Sequence, residues 1–126
     1  MILKVKLSDK ILELNVPDEF LKKATDFFLK MDQDMNAGWQ VNREWVEDPD
    51  NYLRGQIAAD KLLTALENED HKLGRLMAGY ILDKFPDIDC LELSEHGETR
   101  DHELKFSSNE KFSLVLAQKL LSNDKG

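Results

Sequence analysis

The chain has 126 residues, of which 41% are hydrophobic and 33% charged, and its formal net charge is −8. That length suits one domain able to bury about two thirds of its unfolded surface, and that balance excludes a disordered tail. The acidic surplus repels phosphate backbones, which makes nucleic acid a poor partner and a basic peptide or protein surface a more compatible one.

Ile2 to Leu7 alternates, with Leu3, Val5 and Leu7 on one side and Ile2, Lys4 and Lys6 on the other. Residues 11–16 repeat the pattern, and Ser8-Asp9-Lys10 between them is turn-like, so a β-hairpin with one buried face is predicted. Pro17 stops the second strand, and Asp18 is placed to cap a helix. Phe20, Leu21, Ala24, Phe27, Phe28, Met31 and Met35 form its apolar stripe, and the helix should end by Gly38.

Asp48-Pro49 signals the next helix start, a capping aspartate followed by proline at the first helical position. Tyr52, Ile57, Ala59, Leu62, Leu63 and Leu66 give that helix its apolar face. Asn68 should cap a third helix through Phe85, with Leu73, Leu76, Met77, Tyr80 and Ile81 facing the core. Gly55, Gly74 and Gly79 each weaken a helix by up to about 1 kcal/mol, which points to close approach of neighbouring elements.

Residues 88–93 read as a third strand, with Leu91 and Leu93 inward, and residues 102–106 as its returning partner. Ser107 and Glu110 have capping-box spacing, so a last helix should begin there, with Phe112, Val115, Leu116 and Leu120 apolar. The predicted order is ββαααββα over a single domain, 1–126. Two hairpins separated by helices give an α+β fold, an antiparallel or mixed four-stranded sheet with about four helices packed mainly on one face.

The N-terminus lacks the apolar core and cleavage site of a secretory signal, and no apolar run approaches the roughly 20 residues that span a bilayer. The single Cys90 cannot form an intrachain disulfide, which suits a reducing compartment. A cytoplasmic protein without a membrane partner or cofactor is expected.

The most informative stretch is the connection over residues 31–49, which gathers Asp32, Asp34, Asn36, Gly38, Trp39 and Trp45. Connections of this length inside a compact domain are uncommon and often functional. Asp32, Asp34 and Asn36 occupy positions 1, 3 and 5 of an EF-hand-like spacing between helices, and calcium needs six to eight oxygen ligands. The pattern then slips, with Gly38 and Glu44 each one place late, so no metal site is expected there. A calcium site on Asp32, Asp34, Asn36 and Glu44 is the alternative.

Trp39 and Trp45 lie six apart, and a single short strand would put Trp39, Val41, Arg43 and Trp45 on one side. Tryptophan and arginine are enriched at interface hot spots, which makes Trp39, Arg43 and Trp45 candidate partner contacts. At least one ring should plug the core. Trp45, beside Val46, is the expected structural one, and Trp39 the more exposed contact.

Cys90, His96 and His102 cluster near the second hairpin without a zinc spacing, and His71 has no evident companion, so surface histidines are expected. Ser and Cys occur without a glycine-rich elbow, and the glycines form neither a phosphate loop nor a dinucleotide fingerprint. No catalytic constellation is legible.

Three phrases carry a resemblance: Met31-Asp32-Gln33-Asp34-Met35 leading to Gly38-Trp39-Gln40, the run from Ala58 to Leu66, and Met77-Ala78-Gly79-Tyr80-Ile81-Leu82. Together they resemble a family of small acidic bacterial proteins with no assigned function. The resemblance implies a bacterial cytosolic origin and carries no activity, cofactor or ligand. The expectation is therefore a non-enzymatic binding or accessory module, with another protein as partner and residues 31–49 as contact surface. A calcium-binding domain and an enzyme with a dispersed site are the other readings.

Overall fold

A computed structural model describes residues 1–106. Strands β1 (Ile2–Leu7) and β2 (Lys10–Asn15) pair antiparallel from Ile2↔Asn15 to Leu7↔Lys10, as their alternation predicts. The turn is tight, with Ser8 at φ 56. Helices α1 (Asp18–Lys23) and α2 (Thr25–Asn36) replace the single predicted helix. At the break, the Thr25 hydroxyl donates to the Leu21 and Lys22 carbonyls at 3.2 and 2.9 Å, which stabilises the kink locally. Asp18 does not cap; Pro17 holds that position, and the Asp18 carboxylate lies 3.6 Å from the N-terminal ammonium.

Residues 31–49 contain a second small sheet, the hairpin β3 (Trp39–Val41) and β4 (Glu44–Val46). Helices α3 (Asn51–Glu67) and α4 (His71–Lys84) follow. Their caps are Asp50 and Asp70, whose carboxylates accept the N–H groups of Leu53 at 2.8 Å and Leu73 at 3.1 Å. Asp48 and Asn68, the predicted caps, each lie two residues early: Asp48 adopts a left-handed turn at φ 44, and Asn68 closes α3. Strand β5 (Cys90–Leu93), a 3₁₀ turn (Thr99–Asp101) and β6 (Glu103–Lys105) complete the described chain. The predicted helix from Ser107 lies outside the described residues.

The main sheet is mixed, in the order β2-β1-β5-β6. The two hairpins join through a parallel pairing of β1 with β5, Val5↔Leu91 to Leu7↔Leu93, so the helices act as the crossover between them. Leu3, Val5, Leu91, Leu93 and Leu104 are buried on one face in the core shared with α3 and α4. The other face carries Lys4, Lys6, Glu13, Glu92 and Lys105, with an ion pair between Lys105 and Glu92. One apolar and one charged face identify an α+β fold with helices on a single side.

Two of the three helical glycines sit at close approaches. A Cβ on Gly55 would come within 2.7 Å of both Leu104 and Phe85, where α3 crosses β6, and one on Gly79 would meet Phe28 at 3.0 Å, where α4 crosses α2. Gly74 is different, because a Cβ there would find only ordinary contacts at 3.8 and 3.9 Å. Gly55→Ala should therefore lower stability by about 1–3 kcal/mol through overpacking. Gly74→Ala should raise it by up to about 1 kcal/mol through helix propensity. Urea unfolding of both variants checks this, and effects of the same sign would refute the packing account of Gly55.

Candidate functional site

The connection over residues 31–49 is organised from its base by Arg54, a charged residue on the first turns of α3 with only 8% of its side chain exposed. Its Nε donates to the Pro49 carbonyl at 2.8 Å. Nη1 donates to the Asp32 carboxylate at 3.2 Å and the Asp32 carbonyl at 3.3 Å. Nη2 reaches the Asn36 side chain at 2.7 Å and the Asp48 carboxylate at 2.9 Å. A buried guanidinium is tolerable only when its donors are met in this way.

Asp32 links this cluster to α4. It accepts the Tyr80 hydroxyl at 2.7 Å and pairs with the Lys84 ammonium at 2.7 Å. Burial pushes the Asp32 carboxyl up, but hydrogen bonds from Lys84, Tyr80 and Arg54 outweigh it and hold the group below the usual carboxylate range. Burial and the Asp32 charge both raise the Tyr80 hydroxyl, which stays a donor throughout the physiological range.

Above this base stands the β3–β4 hairpin. Its turn is Asn42-Arg43, with Asn42 at φ 56, a conformation asparagine tolerates well. The register Trp39↔Val46, Gln40↔Trp45 and Val41↔Glu44 places Trp39, Val41 and Val46 on the inner face, and Trp45 with Gln40 on the outer one. The expected assignment of the tryptophans is therefore reversed: Trp45 is 56% exposed, whereas Trp39 is half-buried and packs against the core. A single extended strand would have aligned the two rings; the turn between them separates their faces. Arg43 is exposed at the tip. The hairpin is tied to the 3₁₀ turn by Asn42, which accepts the Thr99 N–H at 3.3 Å, and by Glu44, which pairs with Arg100 at 2.9 Å.

Beside the hairpin runs an apolar groove of about 530 Å³. Helix α2 supplies one wall through Phe27, Met31 and Met35, and α3 and α4 supply the other through Ile57, Leu73 and Met77, with Trp39 between them. Charges from Asp26, Lys30, Asp34 and Lys61 edge it. Phe27, expected in the core, is 41% exposed on this wall. The Lys61 ammonium lies 5.1 Å from the Trp39 ring centroid, a cation–π distance. Trp39, Ile57 and Lys61 also border a second hollow of about 270 Å³, lined by Gln40, Asn42, Asp60 and Thr99.

Below that hollow lies His102, 1% exposed and thus not the surface histidine expected from its charged neighbours. Its Nδ1 accepts the Ser94 N–H at 3.0 Å, which leaves Nε2 to donate to Asp60 at 3.1 Å. His96 is fully outside, and Cys90 is half-buried on β5. The four oxygen-bearing residues of the calcium alternative are directed apart. Asp32 and Asn36 serve Arg54, Asp34 lies 3.5 Å from Lys30, and Glu44 holds Arg100. A cationic guanidinium already occupies the place between Asp32 and Asn36, which leaves their oxygens unsuited to a second cation. Among the described residues, no three His, Cys, Asp or Glu side chains could hold a metal ion together.

Sequence reasoning missed Arg54 and Lys61, and it named His102 only as a surface histidine. The available signal for Arg54 was slight, a charge between Leu53 and Ile57 near the start of an amphipathic helix. His102 offered none, because its partner Asp60 is 42 residues away. No protein family, curated protein or solved structure matches this chain, so its site is read from its own geometry.

Asp32 has its folded-state pKa lowered, so its contribution to stability is present above the ordinary carboxylate pKa, about 3.9, and is lost as pH falls through the folded value. Urea unfolding between neutral and strongly acid pH should show a steeper acid loss for the wild type than for Asp32→Asn, and parallel curves would contradict it. Arg54→Ala, which leaves Asp32 with Lys84 and Tyr80 but removes the donors of the Pro49 carbonyl and the Asn36 side chain, should cost about 1–3 kcal/mol. Iodide should quench Trp45 strongly and Trp39 weakly in the respective single-tryptophan variants; equal quenching would contradict the hairpin register.

Proposed function

We propose that this chain is a small non-enzymatic binding module, an accessory protein of the cytoplasm, whose groove receives the apolar stripe of an amphipathic helix from a protein partner. The observation that carries this reading is the apolar groove between α2 and the α3–α4 pair. Three of the four methionines border it, Met31 half-buried at its surface and Met35 and Met77 buried in its floor. Unbranched, polarisable methionine adapts to varied apolar surfaces and is favoured at helix-receiving grooves. Lys30 and Asp34 are exposed along one edge, an open rim suited to a laid-in helix; small-molecule sites instead enclose most of their ligand.

The polar clusters also support binding over catalysis. The Arg54 nitrogens are spent on Asp32, Asn36, Asp48 and Pro49, and both ring nitrogens of His102 are engaged. Such groups position the walls and leave no evident proton-transfer role. Among the described residues no helix is long and apolar enough to cross a membrane, which is compatible with a protein partner in solution. Relative to the expected contact set, Trp39 lies within the groove, whereas Trp45 belongs to the outer face of the hairpin and Arg43 to its exposed tip.

Phe27 provides the test, because its exposure lets it change without opening the core. A displayed library of helical peptides, panned on the wild type and counter-panned on Phe27→Asp, should enrich sequences with apolar residues at i, i+3, i+4 and i+7. These should bind the wild type and lose affinity for Phe27→Asp by at least about tenfold, while the variant unfolds at a similar denaturant concentration. Absence of any apolar periodicity, or equal binding to the variant, would reject the reading.

A further inference from the structure

The groove is electrostatically lopsided. Its α2 edge carries two carboxylates, Asp26 and Asp34, and one ammonium, Lys30, whose Nζ lies 3.5 Å from Asp34. The opposite edge carries Lys61 from α3. Lys61 is half-buried against the Trp39 ring and has no carboxylate within ion-pair distance among the described residues. In a chain of net charge −8, an ammonium at the edge of an apolar groove with no ion-pair partner among the described residues is chemically conspicuous. Stacking on an indole face offsets part of its desolvation and holds it in place, yet leaves its donors without an anionic acceptor.

A helix laid apolar face down in a groove presents one flank to each wall. Turning it end for end exchanges the flanks. Two edges of opposite charge therefore distinguish the two directions, whereas an apolar floor by itself does not. Like-charge juxtaposition suppresses the wrong orientation, and the complementary one fixes the register.

We propose that Lys61 is a specificity residue: it receives a carboxylate on one flank of the partner helix, while the other flank carries a basic residue toward Asp26 and Asp34. The partner is thus an amphipathic helix with acidic and basic flanks on either side of its apolar stripe, and it docks in one direction. This rests on the helix-in-groove reading and adds the charge pattern and polarity of the occupant.

The test uses the full chain and defined probes, stapled helical peptides of about 16 residues with a common leucine stripe. One peptide carries glutamate on one flank and lysine on the other; its counterpart carries glutamine on both. The charged peptide should bind about threefold to fivefold tighter at low salt, with the difference shrinking at high salt. Lys61→Gln should abolish the preference, and Lys61→Arg should keep it. In the Trp45→Phe background, energy transfer from Trp39 to a dansyl group should favour one peptide terminus, and exchanging the two flanks should switch the favoured terminus. Equal affinity for the two peptides, a preference that survives Lys61→Gln, or an unchanged favoured terminus would overturn the role of Lys61 and leave the groove reading standing. Failure of both peptides to bind would overturn both. Saturable binding of dodecanoate at Trp39 without peptide binding would assign the groove to a small amphiphile and overturn both as well.

Discussion

A single buried guanidinium governs the arrangement of the half of this domain that carries the groove. Arg54 places a guanidinium in the interior, and an unpaired charge at that depth would cost several kcal/mol. Its acceptors come from the end of α2, through Asp32 and Asn36, and from the segment entering α3, through Asp48 and Pro49. Those pieces must therefore meet at one point. The cation also lies against the last turns of α2, where the helix dipole favours positive charge. Asp48 is held at φ 44, a conformation that costs a non-glycine residue about 1 kcal/mol or more, and its bond to Nη2 offsets that strain.

Through Asp32 the same cluster reaches Tyr80 and Lys84, so α2, α3 and α4 share one polar junction at one end. Apolar contacts secure α2 elsewhere: Phe28 stacks edge-on against Tyr80 with centroids 6.0 Å apart, close to Gly79. With α2 pinned along this line, Phe27 and Met31 stay partly exposed beside the buried Met35 and face the α3–α4 pair. The groove is the space left when helices are positioned by a polar clasp and one aromatic contact rather than by continuous packing.

The hairpin completes that geometry. Gly38, at φ 119, turns the chain out of α2, and a Cβ there would lie 2.4 Å from the Trp45 ring. Glycine thus lets the outer indole lie flat against the backbone while the inner indole, Trp39, enters the groove. Placing Lys61 over Trp39 then sets a cation where the apolar groove meets the polar hollow bordered by Asp60 and Thr99. In the proposed binding role, apolar area supplies the affinity and the edge charges supply the selectivity.

The sequence alone determined the α+β class, both hairpins of the main sheet and most core positions, because these follow from local periodicity and punctuation. Leu3, Val5, Leu91 and Leu93 alternate on strands, and Pro17 and Pro86 end elements wherever they occur. It also singled out residues 31–49. Only the tertiary structure decided the parallel seam between β1 and β5, the cap at Asp50 in place of Asp48, and the exchange of roles between Trp39 and Trp45. The reason is sequence distance and ambiguity of turn. Val5 and Leu91 are separated by every helix described, Asp48 and Asp50 offer the same capping chemistry two residues apart, and a two-residue turn at Asn42 puts the two indoles on opposite faces. The candidate site was legible in part, through Met31, Met35 and Trp39. Its opposite wall was not, because nothing local to Lys61 or Leu73 reveals that α2 will leave them partly exposed above the buried Ile57 and Met77.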